Sequence, residues 1–399
     1  MRLPIADQLT GRPVHAIAVG KAAAAMASAF QAVYPLQVQQ ALAIGTHTHP
    51  DLPTAVEWIE SSHPFPDARS QVAGERALAL AQRVPAGDAL VILLSGGASA
   101  LMAAPIDGIS LADKIATTKL MMAAGADIHA LNTVRRHLSN VKGGRLAAAC
   151  AGTTLTLAIS DVVGDDLHAI GSGPGVPDAT TWADAAAALE RFGGDLHLSE
   201  VRHVIARGVA GAIPDTPKPG DASLKRSQAM VIGSRMDAME GARHAAMARG
   251  YHPTVVVEPV TGEARDMAPR WFARVQELTR GTPRPACVIS SGETTVRVTG
   301  QGRGGRNLEF ALALAGSMVS PTAMAMASVG TDGIDGSSGV AGGVVDSTTL
   351  QRASALNLDA PGKYLAANDS LSFFAPLDDV VRLGRTDTNV GDLQVILID

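Results

Sequence analysis

The chain has 399 residues, of which 46% are apolar, 18% charged and only 3% aromatic, with a formal net charge of −5. That length accommodates two domains, and the balance excludes both a polycationic footprint for nucleic acid and an aromatic platform for single strands. The two cysteines, Cys150 and Cys287, lie far apart in the sequence, which excludes a spacing-based metal site and points to a reducing compartment, so a cytoplasmic location is expected.

Arg2, Asp7 and Lys21 interrupt the N-terminal region too early for a signal peptide. The apolar run Val14–Val19 then reads as a buried strand, followed by Gly20-Lys21 and a helix over Ala22–Val33. His47-Thr-His49, ahead of Pro50, reads as a loop whose histidines are structural or solvated. Ala89–Leu94 leads into Ser95-Gly-Gly-Ala-Ser99, and Thr154–Ile159 into Ser160-Asp161 and a glycine-rich loop. Continuous apolar strands alternating with helices predict a mostly parallel sheet covered on both faces, with ligands beyond the strands' C-terminal ends. The uncharged windows Ala89–Ile106 and Phe310–Thr331 each contain turn residues and read as two short elements, not as membrane spans. The proline-rich stretch Gly211–Gly220 is the expected hinge, dividing an N-terminal domain 1–220 from a C-terminal domain 221–399. Beyond it, Ala229–Ile232, a helix at Met236–Arg249 and Thr254–Val257 suggest a further β-α-β unit. Ala286–Ile289 and Thr294–Val298 then suggest a hairpin about Ser290-Ser-Gly-Glu293. The second half is therefore expected to be mixed α/β.

Several nucleotide and catalytic signatures are missing: Gly20-Lys21 is not a Walker A loop, and there is no HExxH, CxxC or GxSxG. Gly300-Gln-Gly-Arg-Gly-Gly305 matches G-x-G-x-x-G literally, but an alternating strand precedes it, so it is a weak dinucleotide signal. What remains are loops suited to anions. Lys21 opens a helix after a strand, and Ser95–Ser99 lets backbone amides approach a phosphate or carboxylate. Asn132–Gly144 gathers Arg135, Arg136 and Lys142, either as a solvated helix end or as an anion site. Asp161, Asp165 and Asp166 follow a strand as a solvated acidic turn or as ligands for Mg²⁺ carried with a nucleotide. Gly171-Ser-Gly-Pro-Gly175 exposes more backbone. The second half adds Arg303, Arg306, Asn307, Asp332 and Asp335. With no covalent nucleophile and no closed metal cage, this equipment suits phosphoryl transfer by positioning and electrostatics.

These loops resemble those of the type II glycerate kinases. The resemblance is carried by Val19-Gly-Lys-Ala22, His63-Pro-Phe-Pro-Asp67, Leu94–Leu101, Asn132–Gly144, Ile159–Asp166, Gly171–Asp178, Ser291–Val296, Gly304-Gly-Arg-Asn307 and Thr386–Val390, in order along nearly the whole chain. It implies a Rossmann-like N-terminal domain, a C-terminal MOFRL domain, and an active site in the cleft between them. It also implies ATP-dependent phosphorylation of D-glycerate to 2-phosphoglycerate with Mg²⁺, by direct in-line transfer. The catalytic residues would be Lys21, Arg306 and Asp165. Ser95, Gly96, Gly97, Ser99, Gly171, Ser172 and Gly173 would hold nucleotide phosphates. Arg135, Lys142, Asn307 and Asp332 would hold the substrate, and Asp161 with Asp165 the metal. Expected partners are the small molecules D-glycerate and ATP, with neither nucleic acid nor membrane, and a homodimer is compatible with the reading. The family usually carries an additional helical stretch before the segment of Val14–Ala22, so a shortened start is expected. Arg385 and Asp387 stand where the family usually has proline and glycine, which bears on the choice of acid. The alternative is an NAD(P)H-dependent hydroxypyruvate reductase. It needs a dinucleotide fingerprint in the first domain, where Val14–Ala22 offers a single glycine.

Overall fold

The computed structural model describes residues 9–47, 52–319 and 322–399. The chain divides into two compact units, Met1–Ile232 and Gly233–Asp399. His49 and Pro50, together with Arg2 and Asp7, lie outside the described residues.

In the first unit, strands β1 (Val14–Val19), β2 (Val38–Gly45), β3 (Val56–Glu60), β4 (Ala89–Leu94), β5 (Thr153–Ile159) and β6 (Ser227–Gly233) form one sheet in the order β3-β2-β1-β4-β5-β6. The pairs β2–β3, β1–β2, β1–β4 and β4–β5 are parallel. Both faces are covered at β1, β4 and β5, which explains why their segments Val14–Val19, Ala89–Leu94 and Thr154–Ile159 stand out as apolar runs, whereas β2, β3 and β6 carry polar, partly exposed residues. Ile17, Val19, Ile44, Ile92 and Leu94 pack against α2 (Ala68–Arg83). Ala16, Ala18, Ala43, Val91 and Leu93 face α1 (Ala23–Val33), whose Met26 and Phe30 fill the room left by the alanines. After β4 come α3 (Ala98–Leu101), α4 (Leu111–Ala123), α5 (Ile128–His137) and α6 (Arg145–Ala148). After β5 come α7 (Trp182–Arg191) and α8 (Ser199–Val209). Helices α4, α5, α7 and α8 enclose a separate apolar cluster that includes Met121, Val134, Trp182 and Val204.

In the second unit, β7 (His252–Glu263), β8 (Ala286–Thr295), β9 (Met324–Gly330), β10 (Gly342–Asp346), β11 (Val380–Val381) and β12 (Asp392–Ile398) form a mixed sheet in the order β11-β10-β9-β12-β8-β7. Only β7–β8 is parallel; the other four pairs are antiparallel. Strict alternation along β12 sends Ile396 and Ile398 toward α10 (Ala264–Leu278) and α11 (Arg306–Leu314). Leu393, Val395 and Leu397 go to the opposite face, beside Met239 of α9 (Arg235–Ala248). Three short helices, α12 (Thr349–Ala355), α13 (Pro361–Ala366) and α14 (Ser370–Phe374), complete the unit.

Three local expectations are corrected. The strands around α9 do not share a sheet: β6 closes the first and β7 edges the second, so there is no β-α-β unit. The expected hairpin is one continuous strand, β8. Its serines are not turn residues, because the Ser290 hydroxyl accepts a bond from Trp271 Nε1 at 2.7 Å and donates to Gln394 Oε1 at 3.3 Å within the sheet. The proline-rich stretch 211–220 lies inside the first unit, where Asp178 N–H donates to Pro217 O at 2.8 Å. Each uncharged window does break into short elements, and no described helix is long and apolar enough to cross a membrane.

Candidate active site

In a doubly wound sheet, ligands bind where the strand order reverses, and here that point falls between β1 and β4. The loops after these two strands are stitched together. Lys21 N–H donates to Gly96 O at 2.9 Å, Ala22 N–H to Ser95 Oγ at 3.1 Å, and Ser95 N–H to Val19 O at 3.0 Å. Gly20, at φ +128°, permits this approach, since a Cβ there would lie 2.1 Å from Ser95 Oγ. Ser95 is thereby spent on the loop itself. The N–H groups of Gly96 and Gly97 make no hydrogen bond among the described residues, and Lys21 is half-buried beside them. Two amides without a partner among the described residues and a lysine meet at the switch point, the elements that an anion cradle requires.

A second group gathers behind this loop. Lys142, fully buried, donates to Ser99 O at 2.9 Å, Ser99 Oγ at 3.2 Å, Met102 O at 3.4 Å and Gly171 O at 3.4 Å. Its ammonium therefore ties two loops together from behind, without an exposed surface of its own. Ser99 Oγ lies 2.8 Å from Ser172 Oγ, and Ser172 donates to Asn132 Oδ1 at 3.0 Å. Gly171, Ser172 and Gly173 are three consecutive left-handed residues, at φ +59°, +61° and +64°. The amides of Ser172 and Gly173 are taken up by Ala169 O and Ile170 O. Arg135 makes no hydrogen bond or ion pair among the described residues, whereas its neighbour Arg136 meets Asp178 at 3.3 Å. Burial brings Arg135 down to about 10, and burial together with Arg135 brings Lys114 on α4 down to about 7. Burial, then Lys114 and Arg135, push Lys142 well below the usual lysine value.

The acidic loop follows β5. Asp165 adopts a left-handed φ of +55°, its N–H bonded to Val162 O at 3.1 Å, and its carboxylate has no hydrogen bond among the described residues. Asp161 is half-buried two residues beyond the end of the strand. No cluster of three or more metal-ligating side chains occurs among the described residues.

In the second unit, Arg306 opens α11 and is held by two carboxylates. Its Nε lies 2.7 Å from Asp392 Oδ2, its second terminal nitrogen 3.0 Å from Asp392 Oδ1, and the first 2.8 Å from Glu293 Oε1. Burial works against the charge, but Asp392 and then Glu293 more than offset it, so the guanidinium is held above its usual value. Asn307 is enclosed, donating to Asp392 Oδ1 at 3.0 Å and accepting from Ser328 Oγ at 2.7 Å. Asp332 belongs to the same end of the sheet, because a Cβ on Gly330 would meet Asp332 Oδ1, Asn307 Nδ2 and Asp392 Oδ1 at 3.3, 3.5 and 3.6 Å. Asp335 caps α11, accepting from Asn307 and Leu308 N–H at 3.1 and 2.9 Å. Burial, eased by those bonds, brings its carboxyl up to about 6.

The literal G-x-G-x-x-G loop proves to be a packing device. Cβ atoms at Gly300, Gly302, Gly304 and Gly305 would lie 2.1 to 2.4 Å from Ala367 O, Asp369 Cβ, Ser370 Oγ and Asp335. Asn368 Oδ1 accepts from Thr299 and Gly300 N–H, both at 2.8 Å, and Asp369 Oδ1 from Arg303 N–H at 2.9 Å. These glycines touch the protein's own backbone, which leaves a pyrophosphate no place at them.

Sequence reasoning missed Lys114, Asn132 as the acceptor for Ser172, Glu293 and Asp392 as the partners of Arg306, and Asp335 as a helix cap. Glu293 sat in a segment that carried the resemblance. Lys114 and Asp392 gave no local signal, since only the fold brings them to their sites.

A doubly wound first unit with an anion cradle at its switch point, followed by a mixed α/β unit with a clamped arginine, defines a two-unit enzyme that acts on anionic small molecules. Residues 4–206 match a domain described as of unknown function (DUF4147), and residues 286–392 match the MOFRL family. A glycerate 2-kinase of Pyrococcus horikoshii is 37% identical over 96% of this chain and 87% of its own length. A protein of Agrobacterium vitis, provisionally named hydroxypyruvate reductase, is 38% identical over the whole chain and 90% of its own length. The crystal structure of glycerate kinase from Thermotoga maritima superposes with a TM-score of 0.87 at 34% identity, over 98% of this chain and 93% of that one. The chain belongs to the type II glycerate kinase family.

Proposed function

We propose that the chain transfers the γ-phosphoryl group of ATP in line to the 2-hydroxyl of D-glycerate, giving 2-phosphoglycerate and ADP. The observation that carries this reading is the cradle after β1 and β4, where Lys21 stands beside the free N–H groups of Gly96 and Gly97. Lys21 and these amides would receive phosphoryl oxygens and spread the charge that develops in transfer. Arg306 from the second unit would neutralise charge on the transferring group. Its two carboxylates fix the direction of its guanidinium, so that less ordering remains for substrate to induce. Asp161 and Asp165 would hold Mg²⁺ or take the hydroxyl proton. The ion fits this loop, because Mg²⁺ is commonly bound through one or two carboxylates plus substrate phosphates, and Asp165 offers an uncommitted carboxylate. Bound there, Mg²⁺ would supply charge neutralisation to the phosphates.

The reductase reading loses support, because the only literal dinucleotide fingerprint in the sequence packs against residues 367–370 and Asp335. The test is ADP release by the purified protein with D-glycerate, set against hydroxypyruvate-dependent loss of NADH absorbance. Phosphorus NMR of the product reads the position of transfer. ADP release that does not depend on D-glycerate, or NADH oxidation in its place, removes the kinase reading.

A further inference from the structure

Asn132 and Arg135 lie three positions apart on α5 and so share one helix face. Asn132 is 4% exposed. Its Oδ1 accepts the Ser172 hydroxyl, while its Nδ2 makes no hydrogen bond among the described residues. The amide nitrogen is not sealed from solvent, so a ligand can reach it. Arg135 presents a half-buried guanidinium that is likewise without a partner among the described residues. No carboxylate of the described residues meets either group, and Asp178 is taken by the neighbouring Arg136.

The hydrogen-bond direction behind the pair is fixed. Lys142 can only donate, and it donates to Ser99 Oγ. The Ser172 proton is committed to Asn132 Oδ1, so the Ser99 proton must go to Ser172 Oγ. The chain Lys142 → Ser99 → Ser172 → Asn132 therefore ends on the amide oxygen and turns the NH₂ outward from it. This leaves a donor for which the described residues supply no acceptor.

We infer that Asn132 Nδ2 and the Arg135 guanidinium form a receptor for the carboxylate of the acceptor acid, separate from the phosphoryl cradle of Lys21, Gly96 and Gly97. The inference deepens the kinase reading, on which it rests for the identity of the acid. A planar guanidinium with an adjacent amide matches a carboxylate, whose two oxygens accept in one plane. The free amides and the ammonium at the switch point suit phosphoryl oxygens instead. Lys114 and Lys142 lie behind Arg135, near enough that Arg135 depresses Lys114 and both depress Lys142. The alcohol corresponding to the acid, glycerol, carries nothing for this pair to hold.

The test is calorimetric titration without turnover, using D-glycerate, glycerol and a non-hydrolysable ATP analogue as separate probes. Wild type should bind D-glycerate and not glycerol. Asn132→Asp keeps the acceptor for Ser172 but replaces the NH₂ by oxygen, and should weaken D-glycerate about tenfold or more. Arg135→Met should do the same, and Arg135→Lys should recover part of the loss. The ATP analogue should bind all three variants within about twofold of wild type. Unchanged D-glycerate affinity in Asn132→Asp would reduce Asn132 to a support for Ser172 and overturn the receptor. Loss of the analogue with D-glycerate retained would make the pair a nucleotide-phosphate site and overturn the carboxylate assignment. A wild type that binds neither D-glycerate nor inorganic phosphate would also overturn it. A wild type that binds D-glycerate without releasing ADP would leave the receptor standing and remove only the kinase reading.

Discussion

Lys114 illustrates how a residue can matter without leaving a mark in the sequence. It sits in the first turn of α4 between Asp113 and Ile115, where a lysine is normally a solvated side chain. The fold instead turns it inward, with its ammonium on Leu138 O at 3.1 Å. Burial and then Arg135 bring it to about 7 from the ordinary 10.5, and the neighbouring Lys142 is pushed down as well. Between about pH 7 and 10.5 the unfolded chain holds a proton that folded Lys114 has released, so stability should rise with pH across that window. Below about 7 both forms are protonated and the penalty of the buried charge is present in full. Urea titrations at pH 7 and pH 9 should show this rise in wild type and a flatter dependence in Lys114→Met. An equal slope in both would remove Lys114 as its source. Arg306 makes the converse point: the sequence marked it as chemical, and the structure adds a structural duty. Asp392 has no exposed surface, so Arg306→Ala would leave a buried carboxylate without its partner. That substitution should cost about 2–3 kcal/mol of stability, the lower end of the range because Arg306 itself is partly exposed. Arg306→Lys retains the charge but cannot bridge Asp392 and Glu293 together. It should lose most turnover with a much smaller shift in melting temperature, and is the better probe of the chemistry.

At the level of elements, β1, β4 and β5 were legible because strands buried on both faces read as apolar runs ending in small residues, while β2, β3 and β6, with polar residues along them, were not. The second unit was less legible. Ser290, Ser291 and Gly292 look like a turn, yet they continue β8, with Gly292 so close to Val260 that a Cβ would lie 2.0 Å from its carbonyl oxygen. A glycine required by close backbone approach and one required by a turn have the same letter. The loop 300–305 poses the same ambiguity, and there it can be tested. Gly300→Ala places a methyl group against Ala367 O, a backbone atom that cannot rotate away. The change should destabilise the second unit by about 1–3 kcal/mol, the scale of overpacking a close contact. Nucleotide affinity should change little in whatever fraction stays folded. Were the loop a pyrophosphate cradle, the substitution would instead abolish nucleotide binding with little effect on the unfolding midpoint. Denaturation together with titration of an ATP analogue separates the two.

For the molecule as a whole, the presence of two α/β bodies was legible in the change from unbroken apolar strands to alternating ones, while the point of change was not. β6 follows a proline-rich stretch that resembles a linker, yet hydrogen bonding places it in the first sheet and the second compact unit begins only after Ile232. Function was legible through the motifs that carry the family resemblance and run along both bodies, with Lys21 in one and Arg306 in the other as the residues that the resemblance marked. If both groups stabilise the same transferring phosphoryl group, their effects on turnover cannot be independent. Lys21→Met should lower kcat by about 10²–10³-fold, as expected for removing one preorganised stabilising group, and Arg306→Lys by a similar order. Groups that act as a unit lose most of their joint benefit when either is removed. The double variant should therefore fall short of the product of the two single losses by at least about tenfold. Steady-state kinetics with saturating ATP and D-glycerate on the four proteins closes the cycle. Losses that multiply in full would assign Lys21 and Arg306 to separate steps, and the shared transition state would have to be abandoned.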